Sequence, residues 1–342
     1  MSEEQPLTYA GSGVSLEAGD EAVERIKAAV ASTRTREVLT GIGGFAGLYT
    51  PSLGDPLVAA GADGVGTKVM LGRAAGRLRG LGVDLVAMCV NDVITSGARP
   101  GFFLDVITTG KVVPAQIAEL VEGIADGCRQ AGCALLGGET AEHPGMMAAD
   151  EFDLAGFAVG FCERRELVGG ARVEEGDPVI ALASSGPHAN GFSLVRSLLE
   201  RAGTGLDETP AELAGASVAD ALLEPTRIYA RAVRALMSTV DVRAMAHITG
   251  GGIPGNAGRS LPRGLGLRID LAGRQRPAVF GWLAGLGVEE DEMRRVFNLG
   301  IGYVAIVPAA SEELALRTLS EAGETAWRAG EVVAGDGVQL AG

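Results

Sequence analysis

The sequence predicts a mixed α+β protein with two domains. At roughly 150 residues per domain, 342 residues suggest two of them. Strand-like and helix-like runs follow one another without strict alternation, which favours mixed sheets flanked by helices over a doubly wound Rossmann fold. A charged, glycine-rich stretch over 163–177 predicts a boundary between an N-terminal domain, 1–165, and a C-terminal domain, 175–342.

Apolar spacing predicts the elements of the N-terminal domain. Ile26, Ala29 and Val30 recur at helical spacing after an acidic start, so a helix is expected over 20–34. The other expected elements are a strand at 56–62, a helix at 82–97, a strand at 101–109, a helix at 114–131 and strands at 133–137 and 152–161.

The C-terminal domain is expected to begin with a buried strand at 178–182, because that run is apolar throughout. Helices are expected at 191–201, 226–238, 277–285, 289–297 and 310–322. Further strands are expected at 243–248, 265–271, 301–307 and 331–335.

Composition excludes several classes of protein. A net charge of −14 argues against a general nucleic-acid binder, although a local cluster of Lys and Arg could still hold an anionic small substrate. No run approaches the ~20 apolar residues of a membrane span. The four cysteines form no C-x-x-C motif and the first twenty residues are polar, which predicts reduced thiols in a cytoplasmic protein.

Residues 63–68 carry the strongest functional signal, because they follow the expected strand at 56–62. Gly64 and Gly66 would let backbone N–H groups approach a phosphate. Asp63 could hold Mg²⁺, and Lys68 could neutralise phosphate charge. The loop is not a Walker A motif, since Thr67 precedes the lysine, so a nucleotide-phosphate site of another design is predicted. A glycine-rich turn with a solvated lysine is the alternative.

Two further segments offer carboxylates. Asn91 and Asp92 interrupt an apolar helix, and a charge there must be paired with a cation or bound to metal. A second Mg²⁺ ligand and a carboxylate paired with arginine are both open. Residues 137–145 place Glu139, Glu142 and His143 on one loop, which predicts either a third metal or water-ordering site or an ordinary surface turn.

Three glycine-rich loops suggest ligand contact. The loop over 41–47 fails as a dinucleotide fingerprint because its third glycine comes one position late, so a loop that closes over a ligand is favoured. The loop over 184–191 suits an anion, and His188 could exchange protons there or be structural. The triplet Gly250–Gly252 predicts close backbone approach to a ligand or a flexible turn.

Together, these segments resemble the phosphoribosylformylglycinamidine cyclo-ligase family, also called aminoimidazole ribonucleotide synthetases. The resemblance covers nearly the whole chain. It is carried by 9–14, 19–27, 63–68, 82–92, 103–105, 137–142, 144–146, 184–191, 225–229, 247–252 and 297–298.

The resemblance implies ATP-dependent closure of an imidazole ring in purine biosynthesis, by phosphorylation of a formamide oxygen and attack of the substrate's own nitrogen. It implies Mg²⁺ at Asp63, Asp92 and Glu139, and a homodimer in which N-terminal strands of both subunits form a barrel. It also implies that segment 9–20 is mobile until nucleotide binds. We add the hypothesis that His188 removes the proton.

The residues that the resemblance and the loop chemistry assign to ligands fall into three sets. Catalytic roles are expected for Lys27, Asp63, Lys68, Asp92 and His188. Contacts to ATP are expected from Gly11, Gly13, Lys27, Gly64, Gly66, Thr67, Lys68, Asn91, Gly138 and Thr140. Contacts to the phosphorylated ribonucleotide substrate are expected from Ser184, Ser185, Gly186, His188, Asn190, Gly250, Gly251 and Gly252.

Rival functions remain. A selenophosphate synthetase would need a reactive residue in 1–20, which contains no cysteine, and a hydrogenase-maturation enzyme would end in a cysteine tail, whereas this sequence ends at Gly342. A related ATP-dependent small-molecule kinase or phosphotransferase is the alternative within the superfamily. A non-catalytic nucleotide-binding regulatory module is the alternative outside catalysis.

Overall fold

The computed structural model describes residues 16–38, 56–272 and 275–342. The first half of the described chain is a four-stranded sheet with helices on one face. Its elements are α1 (Leu16–Ala31), β1 (Pro56–Gly64), α2 (Lys68–Ala74), α3 (Arg79–Ile94), β2 (Arg99–Thr109), α4 (Pro114–Ala131), β3 (Ala134–Glu142) and β4 (Phe152–Glu163).

The strand order of this first sheet is β1-β4-β2-β3. β4 runs antiparallel to both neighbours, and β2 and β3 are parallel. Side chains of β2 alternate between buried and half-buried, so one face lies under α3 and the other faces outward. α3 and α4 approach closely, because a Cβ atom on Gly82 would lie 2.3 Å from the Leu120 carbonyl oxygen.

The second half contains a six-stranded sheet in the order β10-β7-β9-β5-β8-β6. Its strands are β5 (Pro178–Ala183), β6 (Ala244–His247), β7 (Leu265–Asp270), β8 (Ile301–Ile306), β9 (Ala326–Ala334) and β10 (Gly337–Ala341). Its helices are α5 (Phe192–Ala202), α6 (Val218–Leu223), α7 (Ala230–Thr239), α8 (Gly252–Asn256), α9 (Ala278–Gly285), α10 (Glu290–Val296) and α11 (Glu312–Glu321). The central strands β5 and β8 are buried along their whole length, as expected from their continuous apolar runs.

The predicted mixed α/β class is confirmed, and the main errors are local. The short helices α2, α6 and α8 and the edge strand β10 were not expected. Residues 137–142 were expected to be a loop, but β3 continues through them because they pair in parallel with β2. The sequence does not predict this part of β3 because Gly137 and Gly138 lie in it, and glycine is depleted in strands.

All four cysteines are buried and free, in agreement with the predicted reduced thiols. Burial raises the pKa values of the Cys89 and Cys128 thiols, so both stay protonated and unreactive near neutral pH. Among the described residues, no helix is both long and apolar enough to cross a membrane.

Candidate active site

Two carboxylates meet where β1 passes the end of α3. Asp63 lies near the end of β1 and is half-buried, while Asp92 lies in the last turn of α3. Gly61 permits this approach, because a Cβ atom there would lie 3.3 Å from Val93 Cγ2 and 3.9 Å from the Asp92 Cβ atom. The two acidic residues that the sequence singled out therefore lie close together.

The negative charges of this carboxylate pair are only partly offset within the site, because His247 lowers the pKa of Asp63 less than Asp92 raises it. Burial raises the pKa of Asp63 above its ordinary value; the hydrogen bond from the Gly64 N–H opposes this shift, and the negative charge of Asp92 adds to it. A divalent cation between the two carboxylates would relieve this repulsion.

His247 orients Asp92. Its Nδ1 donates to Asp92 Oδ1 at 2.9 Å, and its side chain is 1% exposed while that of Asp92 is 52% exposed. A ligand carboxylate held by a buried histidine is typical of metal sites, in which outer groups fix the geometry of the ligands. His247 comes to this position because it ends β6, which carries it to the C-terminal end of α3.

The Asn91 side chain forms its hydrogen bonds within the protein and does not face a ligand. Its Nδ2 donates to the Arg227 carbonyl at 2.8 Å, and its Oδ1 accepts from the Tyr229 N–H at 3.1 Å. The side chain is completely buried. The predicted contact with ATP therefore has no support, and Asn91 instead ties α3 to the segment before α7.

The donor set fits Mg²⁺ held by few protein ligands. Asp63 Oδ1 accepts the Gly64 N–H at 2.7 Å and Asp92 Oδ1 accepts from His247, so each carboxylate keeps its second oxygen for another partner. No cluster of three or more His, Cys, Asp or Glu suited to a metal occurs in the described ranges. Mg²⁺ commonly binds through one or two carboxylates together with waters and substrate phosphates, which suits this pair.

Glu139 does not join Asp63 and Asp92. It lies on β3, and three strand spacings separate β3 from β1, roughly 14 Å at about 4.8 Å each. Its carboxylate accepts the Thr140 N–H, and Gly138 packs against Asp105. Glu139 therefore does not share a metal ion with Asp63 and Asp92 within one chain, and a separate metal site at Glu139 stays a prediction.

Asp105 is a buried acid that the sequence noted only within the resemblance. It faces the helices from β2, one strand away from Asp63 across Gly156 of β4. Burial raises its pKa to about 7, and the charge of Glu139 contributes.

Lys68 is not positioned for phosphate. Its side chain is completely buried, and its Nζ donates to Asp84 Oδ1 at 3.0 Å, to the His188 carbonyl at 2.8 Å and to the Glu224 carbonyl at 3.0 Å. These three acceptors use all three ammonium protons. Asp84 also accepts from the backbone and hydroxyl of Thr226. Lys68 thus joins the 63–68 loop to the second half.

The loops over 184–191 and 250–252 meet as the sequence suggested. Asn190 Oδ1 accepts a hydrogen bond from the Gly250 N–H at 2.9 Å, and this bond joins the two loops. The hydroxyls of Ser184 and Ser185 point inward, to Asn298 Oδ1 and to the Pro225 carbonyl, so neither is presented to a substrate phosphate. Of the predicted substrate contacts, Gly250 and Gly251 are the exposed ones.

His188 is structural in this geometry. Its ring is completely buried, and its Nε2 accepts the Ser185 N–H at 3.2 Å, so the lone pair needed by a base is occupied. Burial lowers the pKa of His188 well below 6.5, and the nearby His247, Lys68 and Arg227 act in the same direction. The hypothesis that His188 removes a substrate proton is not supported by this position.

A neutral, buried His188 predicts a specific dependence of stability on pH. The unfolded chain binds a proton at this residue near pH 6.5 and the folded chain does not, so stability is full above pH 6.5 and falls below it. His188→Asn, which suits the positive φ of 63°, should remove about 1.4 kcal/mol of the stability lost between pH 7.5 and 5.5. Urea unfolding of both proteins at the two pH values tests this. Equal losses would contradict a buried neutral His188.

The remaining predicted contacts are placed as follows. Lys27 is exposed on α1, where its ammonium pairs with Glu24. Thr67 Oγ1 lies 3.2 Å from Ser193 Oγ at the start of α5, so the 63–68 loop touches the second half here too. Gly66 has a φ of 62° and room around it. Gly11, Gly13, the segment 9–20 and the 41–47 loop fall largely or wholly outside the described residues.

Sequence reasoning missed the role of His247. The motif 247–252 was noted for its glycines, and nothing local marks the histidine as a partner of a residue 155 positions earlier. An apolar strand ending in histidine next to a glycine triplet is the signal that was available.

Two family models match the chain: "AIR synthase related protein, N-terminal domain" over 46–162 and "AIR synthase related protein, C-terminal domain" over 174–342. Curated relatives named phosphoribosylformylglycinamidine cyclo-ligase occur in Synechococcus sp. (strain RCC307), 52% identical over 97% of this chain and 98% of the relative, and in Sorangium cellulosum (strain So ce56), 54% identical over 96% and 95%.

Solved structures share the fold at low identity. Thiamine-monophosphate kinase from Stenotrophomonas maltophilia K279a superposes with a TM-score of 0.69 at 21% identity, covering 94% of this chain and 96% of that one. Hydrogenase maturation protein HypE in complex with ATP gives 0.64 at 20% identity, covering 91% and 86%. The solved structures show the fold alone, whereas the curated relatives are 52% and 54% identical over nearly the whole chain. This chain therefore belongs to the phosphoribosylformylglycinamidine cyclo-ligase family.

Proposed function

We propose that this protein uses ATP to close the ring of formylglycinamidine ribonucleotide, giving 5-aminoimidazole ribonucleotide. The observation that carries the proposal is the pairing of Asp63 with a His247-oriented Asp92 beside the loops over 184–191 and 250–252. Family membership adds the reaction named for the relatives. The buried, free cysteines suit a reducing compartment, so we place the reaction in the cytoplasm.

This reaction requires the protein mainly to align the reactants and to neutralise negative charge on the phosphoryl group. The formamide oxygen attacks the γ-phosphorus of ATP and ADP leaves. The substrate's own nitrogen then attacks the activated carbon, phosphate departs and a proton is lost. Such steps are accelerated chiefly by positioning the reactants and by neutralising charge on the phosphoryl group. Mg²⁺ held by Asp63 and Asp92 would supply that neutralisation when bound.

The protein's own residues prepare this site. His247 holds the Asp92 carboxylate in one orientation, and Gly64 fixes that of Asp63. Asn190 keeps the exposed glycines of the 250–252 loop beside the 184–191 loop. Lys68 and Asn91 form hydrogen bonds to the second half of the chain and so tie the 63–68 loop and α3 to it.

An assay of both products tests this function. With ATP, Mg²⁺ and formylglycinamidine ribonucleotide, the protein is expected to release ADP and form a diazotisable aminoimidazole in equal amounts. ADP without the aminoimidazole would instead favour the related kinase or phosphotransferase. ATP binding without release of ADP would favour the regulatory module. Either result would overturn the proposal.

We also propose a homodimer formed through the outward face of the first sheet. Val58 is 65% exposed and Phe157 is 43% exposed, and Ala62 and Leu104 flank Phe157 on the same face. An apolar sheet face left open in this way is typical of an interface. The barrel implied by the resemblance would cover it.

Charge placed on this face should prevent dimer formation. Phe157→Arg is expected to shift the sedimenting species from dimer to monomer at micromolar concentration, because a buried unpaired guanidinium is costly. Leu167→Arg, at another exposed apolar residue (46% exposed), is the matched control and should leave the dimer intact. A wild-type monomer, or a Phe157→Arg dimer, would contradict this interface.

A further inference from the structure

A cavity of about 700 Å³ lies away from the carboxylate pair, between the two halves of the chain. Its walls come from residues 94–100, which run from the end of α3 into β2, from the end of α4, from the connecting segment 165–172, and from α7 with the residues that follow it. The Val168 N–H donates to the Ser96 carbonyl at 2.9 Å, which holds the connecting segment against the end of α3. Asp63 and Asp92 are not among the lining residues.

The rim of this cavity is rich in arginine. Five of the 29 Lys and Arg residues of the chain line it: Arg99, Arg165, Arg172, Arg231 and Arg234. The acidic residues of the lining are Glu166 and Asp241. In a chain with a net charge of −14, this local excess of positive charge is the feature that would attract an anion.

These arginines remain available to a ligand. Arg172 pairs with Asp241 at 2.6 Å, Arg165 with Glu163 at 2.8 Å, and Arg99 with Glu166 at 3.9 Å. All three guanidinium groups are about half exposed or more, and exposed pairs of this kind contribute little, so a phosphate can replace the carboxylate.

Arg231 and Arg234 project from successive turns of α7. Arg231 donates to the Arg129 carbonyl at 3.3 Å. Within the described part of the chain, no carboxylate pairs with Arg234.

The floor of the cavity is apolar. Ile94, Ala98, Val168, Val233 and Met237 line it. Gly97 brings two of them together, because a Cβ atom there would lie 3.0 Å from Met237 Cε and 3.1 Å from Val168 Cγ2. Inorganic phosphate would leave this floor unused, whereas a ligand with a flat ring would cover it.

We propose that this cavity binds a nucleoside monophosphate, with the phosphate on the arginines of α7 and the base on the apolar floor. The volume lies within the range of about 300–1,000 Å³ typical of small-molecule sites. Arginine is suited to the phosphate because its planar guanidinium forms paired hydrogen bonds to two oxygens. The site is separate from the one proposed for ATP.

Calorimetric titration of the full chain with AMP tests the proposal. Saturating Mg²⁺ and a non-hydrolysable ATP analogue are present, so that the proposed active site is filled. AMP is expected to bind one site per chain, and Arg234→Glu should weaken this binding about tenfold or more. Arg263→Glu, an equal charge change at an exposed arginine outside the cavity, should change the affinity less than twofold.

A second variant tests the apolar floor. Met237→Gln should weaken AMP several-fold and leave the affinity for inorganic phosphate unchanged. The proposal is overturned if AMP does not bind beside the ATP analogue, or if Arg234→Glu and Arg263→Glu weaken it equally. It is also overturned if inorganic phosphate binds as tightly as AMP. None of these results depends on ring-closing activity.

Discussion

Replacement of Lys68 by methionine is expected to lower the free energy of unfolding by about 3–5 kcal/mol. Methionine keeps most of the apolar stem but leaves the Asp84 carboxylate buried, with its ammonium partner removed. Burial already raises the pKa of Asp84 and lowers that of Lys68, so neither charge is stable there alone. Against a typical total of about 5–15 kcal/mol this is a large loss, measurable by urea unfolding at pH 7.5.

Two comparisons make the Lys68 result specific. Lys68→Met combined with Asp84→Leu should recover part of the lost stability, because it removes the unpaired carboxylate but leaves the Thr226 N–H and the His188 and Glu224 carbonyls without these partners. Arg77→Met breaks an exposed pair with Asp220 and should leave the urea midpoint unchanged. If Lys68→Met kept full stability and lost only ATP affinity, the phosphate contact predicted from the sequence would be right and the buried position wrong.

Asp92→Asn is expected to lower kcat/KM for ring closure about 10²–10³-fold, the cost typical of losing one preorganised electrostatic contact. The amide keeps the shape of the side chain but cannot offer Mg²⁺ a negative oxygen. Because the Asp92 side chain is 52% exposed, the fold should be unaffected. Steady-state ADP release over a range of Mg²⁺ concentrations measures the effect, and the variant should need more Mg²⁺ to reach its maximal rate.

The control for Asp92→Asn is Glu200→Gln, which removes one exposed carboxylate far along the chain in α5. Its turnover and its Mg²⁺ dependence should match those of the wild type. An Asp92→Asn protein with the same loss at every Mg²⁺ concentration would show that Asp92 acts without the cation. Unchanged turnover would remove Asp92 from the mechanism.

Much of the framework was predictable from local signals. The apolar runs at 178–182 and 301–307 predict central strands because both faces of those strands are buried. The loop after β1 was recognisable because a carboxylate and two glycines directly follow a strand. Asp63 and Asp92 were expected to serve one Mg²⁺, and the structure places them near each other, although Asp92 is half exposed and pairs with His247 and not with an arginine.

The errors arise where long-range contacts decide the role of a side chain. Lys68 looks like a phosphate ligand in the sequence, but the carbonyls of His188 and Glu224, more than 100 residues away, receive its protons. Ser184 and Ser185 look like anion ligands until their hydroxyls are seen to turn inward. No local pattern distinguishes a polar group that serves the fold from one that serves a ligand.

The most direct test of the account is a crystal structure with Mn²⁺ and a non-hydrolysable ATP analogue, read by the anomalous signal of the metal. We expect a Mn²⁺ peak within about 2.5 Å of carboxylate oxygens of both Asp63 and Asp92, with phosphate oxygens completing the shell. A metal bound at Asp105 and Glu139 alone, with Asp63 and Asp92 free of it, would contradict the central claim.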